Sequence, residues 1–417
     1  MYFRTRLVLL SLLLSFVGLD AYGNYVGDAV LEVLRDRHGE NEQKAWFSSS
    51  ADFSDNWLLA DPIYDYLNKD ELPKDLDCDP KSADCDPIFK RNLCSEDTDC
   101  EDQGVSCSPL QASISPNQPE AIKMCQALGD KLVDRFYDIM ASTDQHLDFT
   151  GLTLPDGRFY DSFVNALAML SVKEQPPTVR LLYGGKTAVL PNFAASSETV
   201  LNKLLEDVNS RGGDGSRLPI NLAWLSTSRL SWNHSKIIIS DRNRMINGGH
   251  NMWDGDYLGT NPVFDISLEL TGPAAQETQL FVDELWSNTR KYGYSEIAGG
   301  AINPPYLESF YEGEAKVIGV GRLGAFGDDP ADDAITAMIV SAKKSIFMSQ
   351  QDLFTNMSWK VQPSWAAEEL ISAAISGVKV NIIGSNKTLL PTYGMVSAQE
   401  TFNRMRTIAK RRLVGRG

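Results

Sequence analysis

The residues best suited to chemistry lie in one stretch, WNHSKIIISDRNRMINGGHNMWDGDYL, which begins at position 232. One residue separates His234 from Lys236, so alternation along a strand would place both side chains on one face, roughly 6.5 to 7 Å apart. An imidazole beside a fixed cation suits phosphate chemistry, because the cation neutralises an oxyanion while the histidine attacks phosphorus or moves a proton. Gly248 and Gly249 permit close backbone approach, and the Asn251 amide can donate to the same oxyanion.

Alternating helices and strands surround this stretch. One series has the order helix, strand, helix, strand, at residues 128–140, 146–154, 161–170 and 178–184. The same order recurs at residues 332–344, 345–354, 366–376 and 378–385. This alternation predicts α/β layered units in two copies, of which the second begins near residue 315. No histidine follows His250, so the second copy carries no counterpart of the histidine–lysine pair and is expected to be incomplete.

Length and composition describe a globular chain. Its 417 residues, 43% of them hydrophobic, are enough for two or three domains with buried cores. The formal net charge of −16 gives no general attraction to nucleic acid or anionic lipid. Phosphate recognition must therefore come from a local site, and no nucleic-acid partner is expected.

The N-terminus has the features of an export signal. Two arginines precede an apolar run from Leu7 to Leu19, and the small residues Ala21 and Gly23 follow it. This pattern predicts a secretory signal peptide over residues 1–23 and a secreted protein, because the run is too short to favour a spanning helix. An uncleaved signal that anchors the chain in the membrane is the alternative.

Six cysteines cluster within 48 residues: Cys78, Cys85, Cys94, Cys100, Cys107 and Cys125. An even, clustered set in an exported chain predicts three disulfides, whose connectivity the sequence leaves open among fifteen arrangements. A zinc site is the competing interpretation, but the spacing contains no CxxC and no nearby histidine, so no metal or other cofactor is expected. The sequence therefore predicts four segments: the signal peptide, a loop-rich disulfide region at 24–123, a first unit at 124–312 and a partial second unit at 313–417.

Three sequons mark candidate glycosylation sites, at Asn233, Asn356 and Asn386. Asn233 adjoins the candidate nucleophile, where a glycan would block the site. We therefore expect Asn356 and Asn386 to be the acceptors.

The full spacing of the motif is far more specific than the histidine–lysine pair alone. It resembles the HxKx4Dx6GGxN motif of the phospholipase D superfamily, and the matching residues are His234, Lys236, Asp241, Gly248, Gly249 and Asn251. The resemblance is close over residues 232–286, and the repeated α/β series extends it more loosely over 125–417. It implies duplicated α/β/α sandwich units, with mixed sheets flanked by helices, preceded here by the disulfide-rich loop region.

The resemblance also implies roles for single residues. In that superfamily two motifs meet, one histidine bonds covalently to the substrate phosphorus, and the other protonates the leaving alcohol and then activates water. His234 would be one of this pair, Lys236 and Asn251 would hold the phosphate, and Asp265 would orient the imidazole. Alternation turns Asp241 away from His234, so it is expected to be structural, tying the strand end to its neighbours.

The single motif leaves three functional hypotheses. The first is a phospholipase D-like enzyme that cleaves the headgroup phosphodiester of glycerophospholipids at a membrane surface, with headgroup exchange as a second outcome of the same intermediate. The second is a nuclease or other phosphodiesterase on the same fold. The third is an inactive lipid- or phosphate-binding product, because the chain resembles a two-motif enzyme that stops before its second motif. Activity from one motif would require a homodimer, as in single-motif relatives.

Overall fold

The computed structural model describes fourteen segments of the chain. They are residues 25–54, 56–60, 93–103, 106–126, 128–184, 196–228, 231–258, 263–289, 296–299, 313–324, 327–350, 353–357, 360–384 and 397–414. The expected signal peptide, Cys78, Cys85 and Asn386 lie outside these segments. The described residues form two compact units, one within 43–328 and one built from 25–42 and 329–414.

Helices and strands alternate along most of the described chain. The helices α1 to α9 are Tyr25–His38, Leu128–Ala141, Gly157–Ser171, Ser197–Ser210, Asp254–Tyr257, Pro273–Asn288, Pro330–Ser341, Trp365–Ile375 and Ala398–Val414. Strands β1 to β9 are Trp46–Ala51, Leu58–Ala60, Ser106–Leu110, Ile122–Gln126, His146–Gly151, Thr178–Tyr183, Ile220–Trp224, Ser226–Ser228 and Ser231–Trp232. Strands β10 to β18 are Ile237–Ser240, Arg244–Gly248, Ile266–Thr271, Glu296–Ala298, Ala315–Val320, Ser345–Gln350, Phe354–Met357, Lys360–Pro363 and Lys379–Gly384.

An eight-stranded mixed sheet forms the centre of the first unit, in the order β13-β7-β6-β5-β10-β11-β12-β2. Strands β5, β6 and β7 are parallel, and the remaining pairs are antiparallel. Apolar residues of α2, α3 and α4 pack against one face of the sheet, and those of α6 pack against the other. This arrangement confirms the expected mixed sheet flanked by helices.

The second unit repeats the series with fewer strands. Strands β15 and β18 are parallel, as β5 and β6 are, and α7, α8 and α9 take the places in sequence of α2, α3 and α4. Its core contains Ile339, Leu353, Phe354, Ala367 and Leu370. Helix α1 packs against α7, so the region expected to be loop-rich contributes a fourteen-residue helix to this unit.

Two of the expected disulfides lie within the described residues. They join Cys94 to Cys107 and Cys100 to Cys125, and they link the β3–β4 hairpin to the segment that precedes it. Three of these sulfurs lie within 4.8 Å of one another, but a disulfide sulfur is not a thiolate ligand for a metal.

Within the part of the chain that is described, no helix is long and apolar enough to cross a membrane.

Candidate active site

The motif residues lie on or beside the hairpin of β10 and β11, and hydrogen bonds hold the turn of this hairpin in place. Asp241 and Arg242 adopt left-handed backbone conformations there, with φ of 52° and 56°. The Asp241 carboxylate accepts hydrogen bonds from the backbone N–H groups of Asp144, Gln145 and His146, at 2.9, 2.7 and 2.9 Å. Asp241 therefore ties the end of β10 to the beginning of β5, away from the other motif residues.

The residues before β10 lie beyond the carboxyl ends of parallel strands, where α/β proteins commonly bind ligands. Asn233 is buried, and its amide donates to the carbonyl oxygens of Gly151 and Leu182, at 3.1 and 3.3 Å. Its backbone N–H donates to the Leu225 carbonyl oxygen at 2.9 Å. These bonds replace strand pairing, so the strand begins at Ile237 and not at His234 as alternation predicted.

The burial of Asn233 also bears on the nearest sequon. Its side chain is 7% exposed and its amide nitrogen is engaged with two carbonyl groups. A glycan on this nitrogen would require the loop to open, and the disuse of this sequon stays a prediction. Asn356 lies in β16.

The His234 and Lys236 side chains meet directly. The Lys236 ammonium donates to the His234 carbonyl oxygen at 2.9 Å and lies 3.0 Å from Nδ1 of the same histidine. Lys236 is only 7% exposed, whereas His234 is half-buried. The lysine therefore folds back over the histidine, so the two groups are closer than their spacing along an extended chain would place them.

The protonation of this pair follows from its surroundings. Burial lowers the pKa of His234 to about 3, and the neighbouring Lys236 charge adds to the effect. Burial also lowers the pKa of Lys236 to about 7, against the opposing charge of Asp265. At neutral pH the imidazole is therefore neutral, with a lone pair on one ring nitrogen, and a bound anion would favour the cationic form of the lysine.

The two glycines of the motif make room for neighbouring protein groups. The Gly249 N–H donates to the Ile266 carbonyl oxygen at 2.9 Å. A Cβ atom on Gly249 would lie 2.0 Å from Oδ1 of Asp265, and one on Gly248 would lie 2.3 Å from Cα of Ser267. Glycine at these positions lets β12 and the Asp265 carboxylate approach the motif closely.

Tyr257 links the two polar residues that follow the glycines. Its hydroxyl accepts from the Asn251 backbone N–H at 3.1 Å and from the Asn251 side-chain amide at 3.4 Å, and it donates to Asp265 Oδ2 at 2.9 Å. Burial and the Asp265 charge raise the pKa of Tyr257, so the hydroxyl stays protonated. The sequence places Tyr257 between Asn251 and Asp265 along the chain but carries no other signal of this link.

The short helix α5, which carries Tyr257, is held in place by contacts with other residues of the first unit. The Arg158 guanidinium donates to both oxygens of Asp254, at 2.9 and 3.0 Å. Nearby, Trp253 Nε1 donates to the Thr153 hydroxyl at 2.7 Å. These contacts fix the loop that follows the motif, and with it the position of Tyr257.

His250, the other histidine of the motif stretch, belongs to the core. It is 2% exposed and its Nδ1 lies 2.7 Å from the Ser267 hydroxyl. Its ring packs edge-on against Phe136 of α2 and lies tilted against Tyr257. His250 thus packs beneath the loop, whereas His234 is only half-buried.

Several known proteins are similar to parts of this chain. No protein-family model matches the chain. The sequence is 27% identical to phospholipase D of Streptomyces antibioticus over 316 residues, which cover 61% of this chain and 55% of the relative. It is 28% identical to a cardiolipin synthase of Geobacillus kaustophilus over 208 residues, 46% of this chain and 37% of the relative. A solved structure, Nuc from Salmonella typhimurium, is similar with a TM-score of 0.27 and 10% identity, covering 40% of this chain and 90% of that one.

The structure thus combines a mixed α/β fold with a buried lysine that contacts a half-buried histidine. The sequence similarity to phospholipase D and to cardiolipin synthases identifies the family: the chain belongs to the phospholipase D superfamily. It spans about a third to a half of the length of the relatives it matches.

Proposed function

We propose that this chain acts in phospholipase D-type cleavage of the headgroup phosphodiester of glycerophospholipids. The observation that carries the proposal is the contact between the His234 imidazole and the buried Lys236 ammonium, which lies 3.0 Å from Nδ1. In this reaction an imidazole nitrogen bonds to phosphorus as the bond from phosphorus to the headgroup oxygen breaks. Water then attacks the phosphohistidine, which releases phosphatidic acid and regenerates the histidine.

The remaining residues have supporting roles in the proposal. Lys236 and the Asn251 amide hold the phosphate oxygens as negative charge develops on them. Asp265 sets the electrostatics of the pair, because its charge acts on Lys236 and its carboxylate accepts from Tyr257. The leaving alcohol takes its proton from a second general acid, and the superfamily resemblance assigns that task to the histidine of a second motif.

The source of that second histidine decides how the chain works. Its 417 residues contain one HxK sequence, at His234. A second copy of the chain would supply another His234 in a homodimer, whereas a monomer without a second motif would bind phosphate without turning over.

Two features support a lipid substrate. The relatives matched by sequence are named phospholipase D and cardiolipin synthase. The net charge of −16 is unsuited to the broad electrostatic contact that nucleic acids require. The cardiolipin synthase relatives also favour a second reaction, in which an alcohol replaces water as the acceptor and the headgroup is exchanged.

The test measures headgroup release from mixed phospholipid vesicles by the whole chain, with its mass in solution recorded. We expect release from a dimer, its loss in His234→Ala, and an acid-labile phosphohistidine in the native chain only. Lys203→Ala, on the exposed side of α4, is the matched control for a folded variant. Release that persists in His234→Ala would refute the assignment.

The dependence on pH provides an independent test. The reaction needs neutral His234 and protonated Lys236, and kcat/KM reports the free protein. With pKa values of about 3 and about 7, kcat/KM should be level in mildly acidic solution and should fall as pH rises through about 7. A profile that stays level to pH values near the ordinary lysine pKa would contradict the burial of a functional Lys236.

We also propose that the protein is exported after cleavage of residues 1–23. The two described disulfides support this, since such bonds persist in oxidising compartments. N-terminal sequencing of the mature protein and mass spectrometry of the peptides that contain Asn356 and Asn386 would test export and glycosylation together. An N-terminus at Met1 would favour the uncleaved anchor.

A further inference from the structure

Helix α9 concentrates positive charge in an acidic chain. Its sequence, AQETFNRMRTIAKRRLV, has five basic residues and one acidic residue, a net charge of +4, whereas the whole chain has a net charge of −16. The basic residues are Arg404, Arg406, Lys410, Arg411 and Arg412.

One side of α9 holds the helix to the second unit. Met405 and Ile408 pack against the core of that unit. Arg404 forms an ion pair with Glu400 one turn earlier, and Arg412 forms one with Glu368 of α8. These residues lie on the inner side of α9 and leave its opposite side to solvent.

The outer side combines apolar and basic residues. Phe402 and Leu413 are 59% and 56% exposed, and Arg406 and Lys410 are also exposed. At about 100° per residue these four side chains fall within an arc of roughly 80°. We call them the basic-apolar face of α9.

The matching helix of the first unit shows that the fold does not require such a face. Helix α4 follows the second strand of its unit as α9 does, but its sequence, SETVLNKLLEDVNS, has a net charge of −2. Its exposed positions carry polar residues such as Glu198, Asn202 and Glu206, and it has no large exposed apolar side chain. The basic-apolar face is therefore a property of α9 itself.

We propose that the basic-apolar face of α9 docks on an anionic phospholipid surface. Phe402 and Leu413 are eleven residues apart, about 16 Å along the helix, so both can enter the interface while α9 lies flat. Arg406 and Lys410 lie between them and can reach lipid phosphates through their long aliphatic stems. Local basic clusters attract anionic membranes even when the rest of a protein is acidic, because the attraction acts only within a Debye length.

The proposal concerns binding and is separate from the catalytic proposal. It is tested in the His234→Ala background, so that turnover does not alter the vesicles, and a failure of catalysis leaves the result interpretable. The whole chain is sedimented with vesicles of phosphatidylcholine alone or mixed with phosphatidylglycerol. We expect binding to the mixed vesicles only, and weaker binding as ionic strength rises.

Two variants separate the contributions of charge and apolar contact. Arg406→Glu with Lys410→Glu should weaken binding to the mixed vesicles by about 30-fold or more, since each basic residue near an anionic surface contributes about fivefold. Phe402→Ser with Leu413→Ser should weaken it at both low and high ionic strength. Lys131→Glu with Lys203→Glu changes the net charge equally on exposed positions of α2 and α4 and should leave binding unchanged.

Three outcomes would overturn the proposal. Equal binding to pure phosphatidylcholine would mean that anionic lipid is not recognised. Equal loss in the α2 and α4 control would mean that net charge, and not this face, governs binding. A change of mass in solution caused by Phe402→Ser with Leu413→Ser, without vesicle binding by the parent, would identify the face as a contact between copies of the chain.

Discussion

Each unit contains a parallel pair of strands. One face of this pair, which we call the second face, is buried in the first unit but exposed in the second. In the first unit, Arg180 donates to both oxygens of Asp148, at 2.8 and 2.7 Å, and to Asp283 of α6 at 2.6 Å. In the second unit, the corresponding face of β15 and β18 exposes Phe347 and Ile383, which are 78% and 73% accessible to solvent. The face that holds a buried ionic network in one unit is an open apolar surface in the other.

Helix α6 accounts for this difference. It covers the second face of β5 and β6, and its Gln279 donates to Asp148. Burial alone would raise the pKa of Asp148, but Arg180 and His146 outweigh burial and hold that pKa below its usual value. The series of strands and helices thus follows from local sequence patterns. Burial of the second face of the strand pair depends instead on α6, which lies far along the chain.

The largest expected effect comes from removing the centre of the buried network. Asp148→Ala leaves Arg180, whose side chain is 4% exposed, with only part of its compensation, and should lower the free energy of unfolding by about 3 to 5 kcal/mol. Phe347→Ser in the second unit should change it by less than about 0.5 kcal/mol. Urea unfolding of both variants measures the contrast, and equal losses would show that the second unit's face is also buried.

A smaller contrast involves the glycine at the end of the second strand in each unit. A Cβ atom on Gly184 would lie 2.6 Å from the Asn233 carbonyl oxygen, but the nearest atom to one on Gly384 would be 3.8 Å away. Gly184→Ala should therefore cost about 1 to 3 kcal/mol, and Gly384→Ala under about 0.5 kcal/mol. Because Asn233 precedes His234, Gly184→Ala should also reduce headgroup release. An unchanged Gly184→Ala protein would mean that the loop before β10 moves freely.

Removing one hydroxyl tests whether the difference between the units extends to function. Tyr257→Phe breaks the link between Asn251 and Asp265, and we expect kcat to fall about tenfold, equivalent to roughly 1.4 kcal/mol. The control is Tyr25→Phe in the second unit, where the ring is 41% exposed and no change is expected. The pH profile separates positioning from general destabilisation, because a disturbed Asp265 shifts the fall in kcat/KM that reports Lys236. A tenfold loss with an unmoved profile would argue against positioning.

Much of the architecture was predictable from sequence because it depends on local periodicity. The repeated helix and strand series was expected within a few residues of its true bounds, as at β6 and α8. The motif also located His234 and Lys236, since the spacing of its residues is a local property.

Features that depend on distant contacts were not predictable. Alternation extended β10 back to His234, but hydrogen bonds from Asn233 to the ends of β5 and β6 replace strand pairing there. Helix α1 begins a region whose later residues are rich in prolines and cysteines, a composition that favours loops. The apolar side of α1 is buried because α7 packs against it. The Tyr257 link likewise appears only when β12 brings Asp265 back to the motif.

The smallest expected effect is a loss of stability that should be similar in the two units. Lys203 pairs with Asp207 in α4, and Arg404 pairs with Glu400 in α9, each across one turn of an exposed helix. Such pairs contribute about 0.3 to 0.5 kcal/mol, because solvent screens the charges and two long side chains lose freedom. Lys203→Ala and Arg404→Ala should therefore lower the free energy of unfolding by similarly small amounts, measured by urea unfolding at low and high ionic strength. A loss above about 1 kcal/mol in α9 alone would mean that the second unit relies on its surface charges where the first relies on its buried face.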